Sequence, residues 1–403
     1  MTPPQLVSVS EPESTAPSCD VDFYDDATVA DPASAYQTML AAGPIVWLHK
    51  NQLHAICGHD ALVRALRNHQ SFSSAKGVSI DDAANRMIVG STLNSDPPAH
   101  DTTRAITFSP LSPKALEEVR AQIEKEANYI ADKVVGQGSF DAAKDLAPHL
   151  PLTIVRDLVG LGDYGKDNML DWGAATFELM GDPGPRRAAA INNLKKMRSF
   201  LDDPKTLHGL SPDGWAQRAT HLGIQSGMAP ERAVELMRDY IAPSLDTTIS
   251  AIGYAMMLFA RFPDQWARLK VDRSLMKGAI EEIVRLNTPI RAFSRVVTKP
   301  TKVAGVNLQS GLRVLMVYGA ANRDPARFED PDSFNITRKT SGHVGFGYGV
   351  HSCLGMHLAR LEMTCLFNAL ADRVERFELT GEIVPGVNST IHSLASVPVR
   401  VVT

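Results

Sequence analysis

The stretch that decides the fold is 346–355, which is Phe-Gly-Tyr-Gly-Val-His-Ser-Cys-Leu-Gly and precedes a strong helical pattern. Glycine tolerates tight backbone conformations, so the glycines predict a chain that folds closely around something bulky. Cys353 would then lie at a helix N-terminus, where amide N–H groups and the helix dipole favour a thiolate over a thiol. Since a thiolate held in this way is a metal ligand, the stretch predicts a metal centre at Cys353.

Other interpretations of this stretch are weaker. A dinucleotide-binding loop would need a glycine at Ser352 and a hydrophobic strand leading in with the right spacing, and the sequence has neither. A zinc site at His351 and Cys353 would lack two further ligands nearby. Cys365 follows twelve residues later on the same predicted helix, more than three turns away, so it can share neither a metal nor a disulfide with Cys353. A glycine-rich turn with a buried cysteine remains the structural alternative.

The same ten residues resemble the cysteine-ligand loop of the cytochrome P-450 family. This resemblance implies that Cys353 binds the iron of haem b (iron protoporphyrin IX), where a thiolate favours cleavage of the O–O bond. It also implies the family's single-domain fold, which is mainly α with a minor β part. The resemblance extends from about Asp96 to the C-terminus, and more loosely to an N-terminal hairpin.

Length and composition agree with one large domain. The 403 residues would usually suggest two or three domains, but no linker divides them. The Pro/Ser/Glu-rich start, residues 1–20, predicts a disordered tail. Residues 21–403 are therefore predicted to form a single haem-binding domain, for which a hydrophobic content of 44% is ordinary.

Charge and cysteine content limit the partners and the compartment. A net charge of −4 gives no reason to expect nucleic acid or an acidic membrane surface. Four cysteines in the whole chain fit a reducing compartment without disulfides. The first thirty residues contain neither an apolar run nor a basic start, which argues against a signal peptide or a membrane anchor. We therefore expect a cytoplasmic protein. Since many eukaryotic members of the cytochrome P-450 family carry a membrane anchor, the chain resembles the soluble bacterial type, and we expect a monomer.

Helical periodicity dominates the chain. The predicted helices are 61–68, 98–108, 113–135, 166–180, 186–201, 230–261, 276–286 and 354–371, with a short apolar segment at 152–159. The predicted strands are 45–49 with 53–57 as a hairpin, 312–317 and 398–402. Since the pattern at 230–261 is apolar on much of its circumference, it predicts one long helix through the core.

A second motif is Glu282-x-x-Arg285 in the predicted helix 276–286. At this spacing the two side chains share one helix face and can pair. Alone it could be a solvent-exposed pair, but it stands about 70 residues before the cysteine, where the family has its buried ion pair. A third arginine often completes that pair in the family, and Arg323 and Arg338 are the candidates.

A third motif is the acid–alcohol pair Asp246-Thr247, in an apolar helical pattern where an unpaired charge is costly. The resemblance implies that Thr247 holds dioxygen and that Asp246 relays protons to it. The structural alternative is a threonine bonded back to a carbonyl beside a kink. The family usually has a small-residue pair just before this motif, whereas this chain has Pro243-Ser244, which predicts a kink at the oxygen site.

Haem propionates are anions and need cationic or hydrogen-bonding partners. Four residues match family positions for this role: His100, Arg104, Arg295 and His351. His100 and Arg104 are four residues apart and should share one helical face. Any one of them could be an ordinary surface residue.

The substrate prediction rests on the segment 335–347, which resembles a bacterial subgroup that oxidises para-substituted benzoates, including O-demethylation of 4-methoxybenzoate. A flat benzoate needs apolar walls and an anchor for its carboxylate. Phe177, Met180 and Phe293 are candidate walls, although each could equally be core packing.

Candidate anchors for the carboxylate are Arg86, Ser91, Lys76 and Arg238. An arginine would suit a carboxylate through two parallel hydrogen bonds. The subgroup's own anchor sequence, Arg-Pro-Pro-Ser, is absent from the corresponding loop 85–91. Without an anchor, the pocket would take a neutral phenol, a terpene or a polyketide.

Taken together, the motifs predict a haem-thiolate monooxygenase that inserts one oxygen atom from O2 into a C–H bond. Electrons would come from NAD(P)H through a reductase and an iron–sulfur ferredoxin that docks near Cys353, where Arg360 could meet an acidic partner. A peroxide-using enzyme and a non-catalytic haem protein are the rival classes. Neither needs the pair Asp246-Thr247.

Overall fold

The computed structural model describes residues 16–241 and 243–403. The predicted N-terminal tail lies outside these ranges up to residue 15. Within the rest of that tail, Ser18–Cys19 form strand β1, which runs parallel to β2 (Ile45–Leu48). Regular structure therefore begins before the predicted boundary at residue 20.

Helices make up most of the described chain, with 53% of residues helical and 12% in strands, which confirms the mainly-α prediction. The α-helices are α1 Asp26–Ala30, α2 Ala33–Ala42, α3 His59–Arg67, α4 Asp82–Met87, α5 Ala99–Phe108, α6 Pro113–Glu117, α7 Arg120–Gln137, α8 Arg156–Val159, α9 Asp163–Leu179, α10 Pro185–Asp202, α11 Trp215–Gln225, α12 Pro230–Val234, α13 Arg238–Ile241, α14 Asp246–Arg261, α15 Pro263–Val271, α16 Met276–Asn287, α17 Tyr318–Ala321 and α18 Met356–Ala371. No helix among the described residues is long and apolar enough to cross a membrane.

The strands form one larger sheet and three small ones. After β1 and β2 they are β3 Leu53–Ile56, β4 Phe72–Ser73, β5 Ser139–Asp141, β6 Ala292–Val297, β7 Thr301–Val303, β8 Val306–Leu308, β9 Arg313–Val317, β10 Arg376–Leu379, β11 Val384–Pro385, β12 Leu394–Ser396 and β13 Pro398–Val402. The six-stranded sheet has the order β1-β2-β3-β9-β6-β4, and the small sheets are β10-β13-β5, β11-β12 and β7-β8. The predicted hairpin is confirmed, because β2 and β3 pair antiparallel from Ile45 with Ile56 to Leu48 with Leu53.

The helical core is built around α14, α16 and α18. Helix α18 packs against α7 and α16, and α14 packs against α16. Phe259 of α14 is fully buried and makes ring contacts with Trp266, Phe334 and Phe367. Because side chains this large bury much apolar surface, the aromatic cluster fixes α14 against its neighbours and so positions the residues at its start.

The prediction of one long helix over 230–261 is wrong. Helix α12 is followed by a 3-10 turn at Glu235–Met237 and by the short α13, and α14 begins only at Asp246. Proline lacks an N–H group and crowds the preceding turn, so Pro243 accounts for the interruption. The Ser244 hydroxyl donates to the carbonyl of Tyr240 at this point. As a result the pair Asp246-Thr247 starts a helix instead of lying in the middle of one.

Other helices and strands differ from the predicted ones in smaller ways. The predicted helix 113–135 is two helices, since Glu118 and Val119 separate α6 from α7. The predicted helix 354–371 begins two residues later, at Met356. The periodicity analysis also missed α11 and β6, and β6 carries two of the predicted site residues, Phe293 and Arg295.

Candidate active site

A cavity of about 270 Å³ lies between α14, α13, β6 and the loop before α18. It brings together residues predicted separately from the sequence. Those that line it are Ser91, Arg104, Phe177, Met180, Arg238, Thr247, Phe293, Arg295, His351 and Cys353. Thus one enclosed space holds the predicted metal ligand, two arginines of the predicted propionate set and the predicted apolar walls.

The backbone around Cys353 holds the sulfur at the cavity. The amide of Cys353 donates to the carbonyl of Phe346 at 2.7 Å. Burial raises the pKa of the Cys353 thiol, while hydrogen bonds from the amides of Gly355 and Met356 and the charge of Arg104 oppose that rise. The predicted stabilisation of a thiolate is therefore present, but burial outweighs it. A metal cation bound to the sulfur would supply the remaining stabilisation, because a coordinated thiol is deprotonated.

The glycines of the loop allow close contact with the protein itself. Gly347 and Gly349 have φ of +69° and +70°, which non-glycine residues rarely adopt. A Cβ on Gly349 would lie 2.6 Å from the carbonyl oxygen of Leu66, and one on Gly345 would lie 2.7 Å from Val284 Cγ1. The bulky object that the glycines accommodate is thus, in part, the neighbouring α3 and α16.

The four predicted propionate ligands form one group, called here the Cys353 cluster, whose positive charge comes from its two arginines: His100, Arg104, Arg295 and His351. The rings of His100 and His351 meet with their centroids 4.5 Å apart. Burial lowers the pKa of His351 to about 2, helped by the charges of Arg295, His100 and Arg104. Sequence positions between 100 and 351 therefore converge on one electropositive site.

The Cys353 cluster has hydrogen-bonding groups without partners. Nε2 of both His100 and His351 is buried and has no hydrogen bond. Among the described residues the cluster's one contact with a carboxylate is that of His100 Nδ1 with the exposed Asp101 at 3.0 Å. Buried polar groups are normally satisfied, so these nitrogens indicate a missing acceptor, and propionate carboxylates fit that need. The residues present therefore fit haem.

A metal at Cys353 would need a cofactor to complete its coordination. Within 16–241 and 243–403, no three His, Cys, Asp or Glu side chains lie close enough to hold a metal ion together. Cys353 is a free cysteine that lines the cavity. A single cysteine with open space beside it would suit an iron whose other ligands come from a porphyrin.

The acid–alcohol pair lies in the first turn of α14. Thr247 lines the cavity, and its Oγ1 donates back to the carbonyl of Pro243 at 3.2 Å, as the structural alternative predicts. Asp246 Oδ2 is buried without a partner. Burial raises the pKa of Asp246 to about 7, and the charge of Asp171 adds to the rise. A carboxyl group that titrates near neutral pH can both accept and release a proton.

The ion pair of α16 is fully buried, with both side chains 0% exposed. Nε and Nη2 of Arg285 donate to the two carboxylate oxygens of Glu282 at 2.7 and 2.9 Å. Arg338 is the third member, because its Nε donates to Glu282 Oε1 at 2.9 Å. Arg323 pairs with Asp332 instead. We call Glu282, Arg285 and Arg338 the α16 network.

The predicted substrate anchors are not brought together. Arg86 and Lys76 are exposed, and neither lines the cavity. Ser91 lines it, and its hydroxyl donates to the carbonyl of Ile88 at 3.3 Å.

Arg238 also lines the cavity, but its guanidinium is already engaged. Nη1 donates to Glu235 Oε2 at 2.6 Å, and Nη2 donates to the carbonyl of Met87 at 2.5 Å. These bonds tie Arg238 to Glu235 and to the C-terminal end of α4 but do not use all five N–H groups of its guanidinium, so its role as a carboxylate anchor stays a prediction.

The sequence analysis did not identify two acids that are largely removed from water. Asp239 lines the cavity next to Arg238. Glu362 of α18 is 1% exposed, and both of its carboxylate oxygens lack partners, so burial raises its pKa to about 8. The available signal was the same in both cases, an acid inside an apolar helical pattern.

Comparison with known proteins gives consistent results. A sequence model described as Cytochrome P-450 matches residues 216–390. The protein cytochrome P-450 CYP199A2 of Rhodopseudomonas palustris is 35% identical over 406 residues, covering 99% of this chain and 98% of that protein. A steroid C26-monooxygenase of Rhodococcus jostii is 32% identical over 297 residues, covering 72% of this chain and 61% of that protein.

A solved structure shows the same fold. It is that of cytochrome P-450 CREJ in complex with (4-ethylphenyl) dihydrogen phosphate, with a TM-score of 0.83 and 22% identity, covering 94% of this chain and 99% of that one. At this identity the likeness concerns the fold, and the substrate has to be argued from the cavity.

Proposed function

This chain belongs to the cytochrome P-450 family of monooxygenases, and on that premise we propose that it oxidises a C–H bond of a small aromatic molecule. The observation that carries the proposal is the composition of the cavity. Cys353 and Thr247 line it together with the apolar walls Phe177, Met180 and Phe293. A flat apolar substrate is held by such walls, while its reacting carbon is kept near Thr247 and Cys353.

Haem supplies the oxygen chemistry when it is bound. Cys353 would bind the haem iron through its thiolate, and the Cys353 cluster would bind the propionates with its two arginines and two histidines. The unpartnered Nε2 atoms of His100 and His351 support this assignment, since a carboxylate would accept from them.

Asp246 and Thr247 are proposed to deliver protons. The Thr247 hydroxyl can donate into the cavity when it releases the carbonyl of Pro243, to which it bonds at 3.2 Å. Asp246 can replace the proton, because its pKa of about 7 leaves both protonation states populated near neutral pH. The break at Pro243 places this pair in the first turn of α14, where Thr247 lines the cavity and Asp246 Oδ2 is buried without a partner.

Two substrate classes follow from the sequence, and the cavity favours one of them. A para-substituted benzoate is supported by segment 335–347, but Arg238 is committed to Glu235 and Arg86 is exposed. We therefore propose a neutral phenol or aryl ether as the substrate, with the benzoate second. Hydroxylating the methyl group of a methoxyarene gives a hemiacetal that collapses to a phenol and formaldehyde.

The electron supply is proposed to be NAD(P)H, a reductase and an iron–sulfur ferredoxin, with the protein acting as a cytoplasmic monomer. Arg360 is less available for docking than the sequence suggested. Its guanidinium pairs with Glu281 at 2.6 Å and stacks on Phe346, leaving the side chain 30% exposed. Docking near Cys353 would depend on the whole surface and not on this arginine alone.

Replacing Thr247 by Ala tests the proposal. With a ferredoxin and its reductase supplying electrons, we expect NADH consumption to continue while hydroxylated product falls and hydrogen peroxide accumulates. Thr248→Ala is the matched control, because Thr248 also lines the cavity and should keep product formation coupled. Unchanged product in the Thr247 variant would contradict the proposed delivery of protons by Asp246 and Thr247.

A further inference from the structure

Asp239 is a carboxylate that faces the inside of the cavity. It belongs to α13 and lines the cavity beside Arg238 and Tyr240. The residue is partly exposed, and it is one of those that line the cavity. Burial raises its pKa to about 6.

Thr92 is the hydrogen-bonding partner of Asp239. Its amide donates to both carboxylate oxygens at 3.1 Å, and its hydroxyl donates to Oδ2. A carboxylate can accept about four hydrogen bonds, whereas Thr92 brings two donors. In the described part of the chain, no Lys, Arg or His nitrogen forms an ion pair with Asp239. Its acceptor capacity is therefore not exhausted.

Charges of both signs surround Asp239. Arg238 and Arg232 lower its pKa without contacting it as ion pairs, and Glu235 pairs with both Arg238 and Arg198 at 2.6 Å. A substrate carboxylate here would add a second anion next to Asp239. A substrate cation would meet Arg232 and Arg238. A neutral group that donates a hydrogen bond encounters neither difficulty.

We propose that Asp239 is a specificity-determining residue that accepts a hydrogen bond from the hydroxyl group of a neutral phenolic substrate. Thr92 holds the carboxylate in place for this contact. The proposal rests on the proposed function and names its substrate class. A site built to accept from a hydroxyl rejects the analogue without that donor, because the buried acceptor is then left unpaired.

The test uses the haem-loaded enzyme and three matched probes: 4-ethylphenol, 4-ethylanisole and 4-ethylbenzoate. Dissociation constants are read from the shift of the haem Soret band on titration. For the unmodified protein we expect 4-ethylphenol to bind about tenfold more tightly than the methyl ether, in line with one hydrogen bond to a charged acceptor. The benzoate should bind most weakly.

Asp239→Asn keeps the shape and removes the charge. We expect its affinity for 4-ethylphenol to fall about tenfold, its affinity for 4-ethylbenzoate to rise, and its affinity for 4-ethylanisole to stay unchanged. Thr92→Val is the control for a purely structural tie between α13 and the loop after α4. If that tie were the whole role of Asp239, both variants would weaken all three probes alike.

Two results would overturn the inference. One is tighter binding of 4-ethylbenzoate than of 4-ethylphenol by the unmodified protein, and the other is an equal change for all three probes in Asp239→Asn. Failure of the proposed function is recognised separately. In that case the reduced, carbon monoxide-treated protein would lack the Soret band typical of a thiolate-ligated haem, whatever the order of the probes.

Discussion

The α16 network and the Cys353 cluster are both buried groups of charge, but they differ in how completely they are satisfied. In the α16 network, Arg285 donates to Glu282, to the carbonyl of Asn322 and to that of Pro331, all at 2.7 to 2.9 Å. In the Cys353 cluster, the Nε2 atoms of His100 and His351 have no acceptor.

This difference distinguishes a group of residues that supports the fold from a group that binds a ligand. A buried polar group without a partner costs about 1–3 kcal/mol, so it persists where something else supplies the partner. The α16 network needs nothing further and therefore acts in folding. The Cys353 cluster is incomplete in the protein alone and therefore marks where a ligand binds.

The largest expected effect comes from breaking the α16 network. Arg285→Ala leaves the Glu282 carboxylate buried and without its main partner, which should lower the free energy of unfolding by about 3–5 kcal/mol. Urea denaturation followed by circular dichroism measures this. Arg400→Ala is the control, because Arg400 pairs with Glu378 at the surface and should cost at most about 1 kcal/mol. Similar losses in the two variants would contradict the scaffold role.

Glu362 is a buried acid with no partner. It therefore allows the cost of an unsatisfied buried group to be measured through the pH dependence of stability. Burial raises its pKa from 4.5 to about 8 in the folded protein. Its contribution to stability is therefore fully present below pH 4.5 and is lost as the pH rises through 8. Between pH 5 and pH 8 this single group should lower the free energy of unfolding by about 3 kcal/mol.

Glu362→Gln removes that contribution. The difference in unfolding free energy between the variant and the unmodified protein should shift in favour of the variant by about 3 kcal/mol from pH 5 to pH 8. Denaturant melts at several pH values measure it. A difference that does not change with pH would show that Glu362 is hydrated or paired in solution.

The smallest effect is expected in the Cys353 cluster. Arg295→Leu should leave the unfolding free energy of the haem-free protein unchanged or raised, since it removes a buried cation that forms no ion pair among the described residues. It should weaken haem binding about tenfold, equivalent to about 1.4 kcal/mol. Transfer of haem to an excess of apo-globin measures the loss. Equal haem retention would argue against a propionate contact.

Sequence patterns correctly predicted those elements whose formation depends mainly on residues close together in the chain. Helices α5, α9, α10 and α16 begin and end within a few residues of their predicted bounds, and the family assignment from 346–355 is confirmed. The long apolar periodicity at 230–261 predicted one helix, which is wrong because Pro243 interrupts it. Strand β6 was missed because its burial depends on its pairing with β9 and β4.

The sequence predicted which residues lie at the candidate site better than it predicted the hydrogen bonds that they form. Arg104, Arg295 and His351 line one cavity as expected, and Thr247 does too. Arg238 reaches the same cavity, but some of its donors bond to Glu235 and to the carbonyl of Met87 at the end of α4. Nothing in the order of residues along the chain reveals such competition for a donor.

The amino-acid sequence alone determined the cysteine loop and the pairing of Glu282 with Arg285, because glycine conformations and helical spacing act over a few residues. The tertiary structure decided that Arg338 completes this pair and that Asp239 faces the cavity. Those outcomes depend on which distant side chains meet, as Arg338 does with Glu282 across 56 positions. Burial then sets the pKa of each acid, because only the folded chain excludes water from the carboxyl groups.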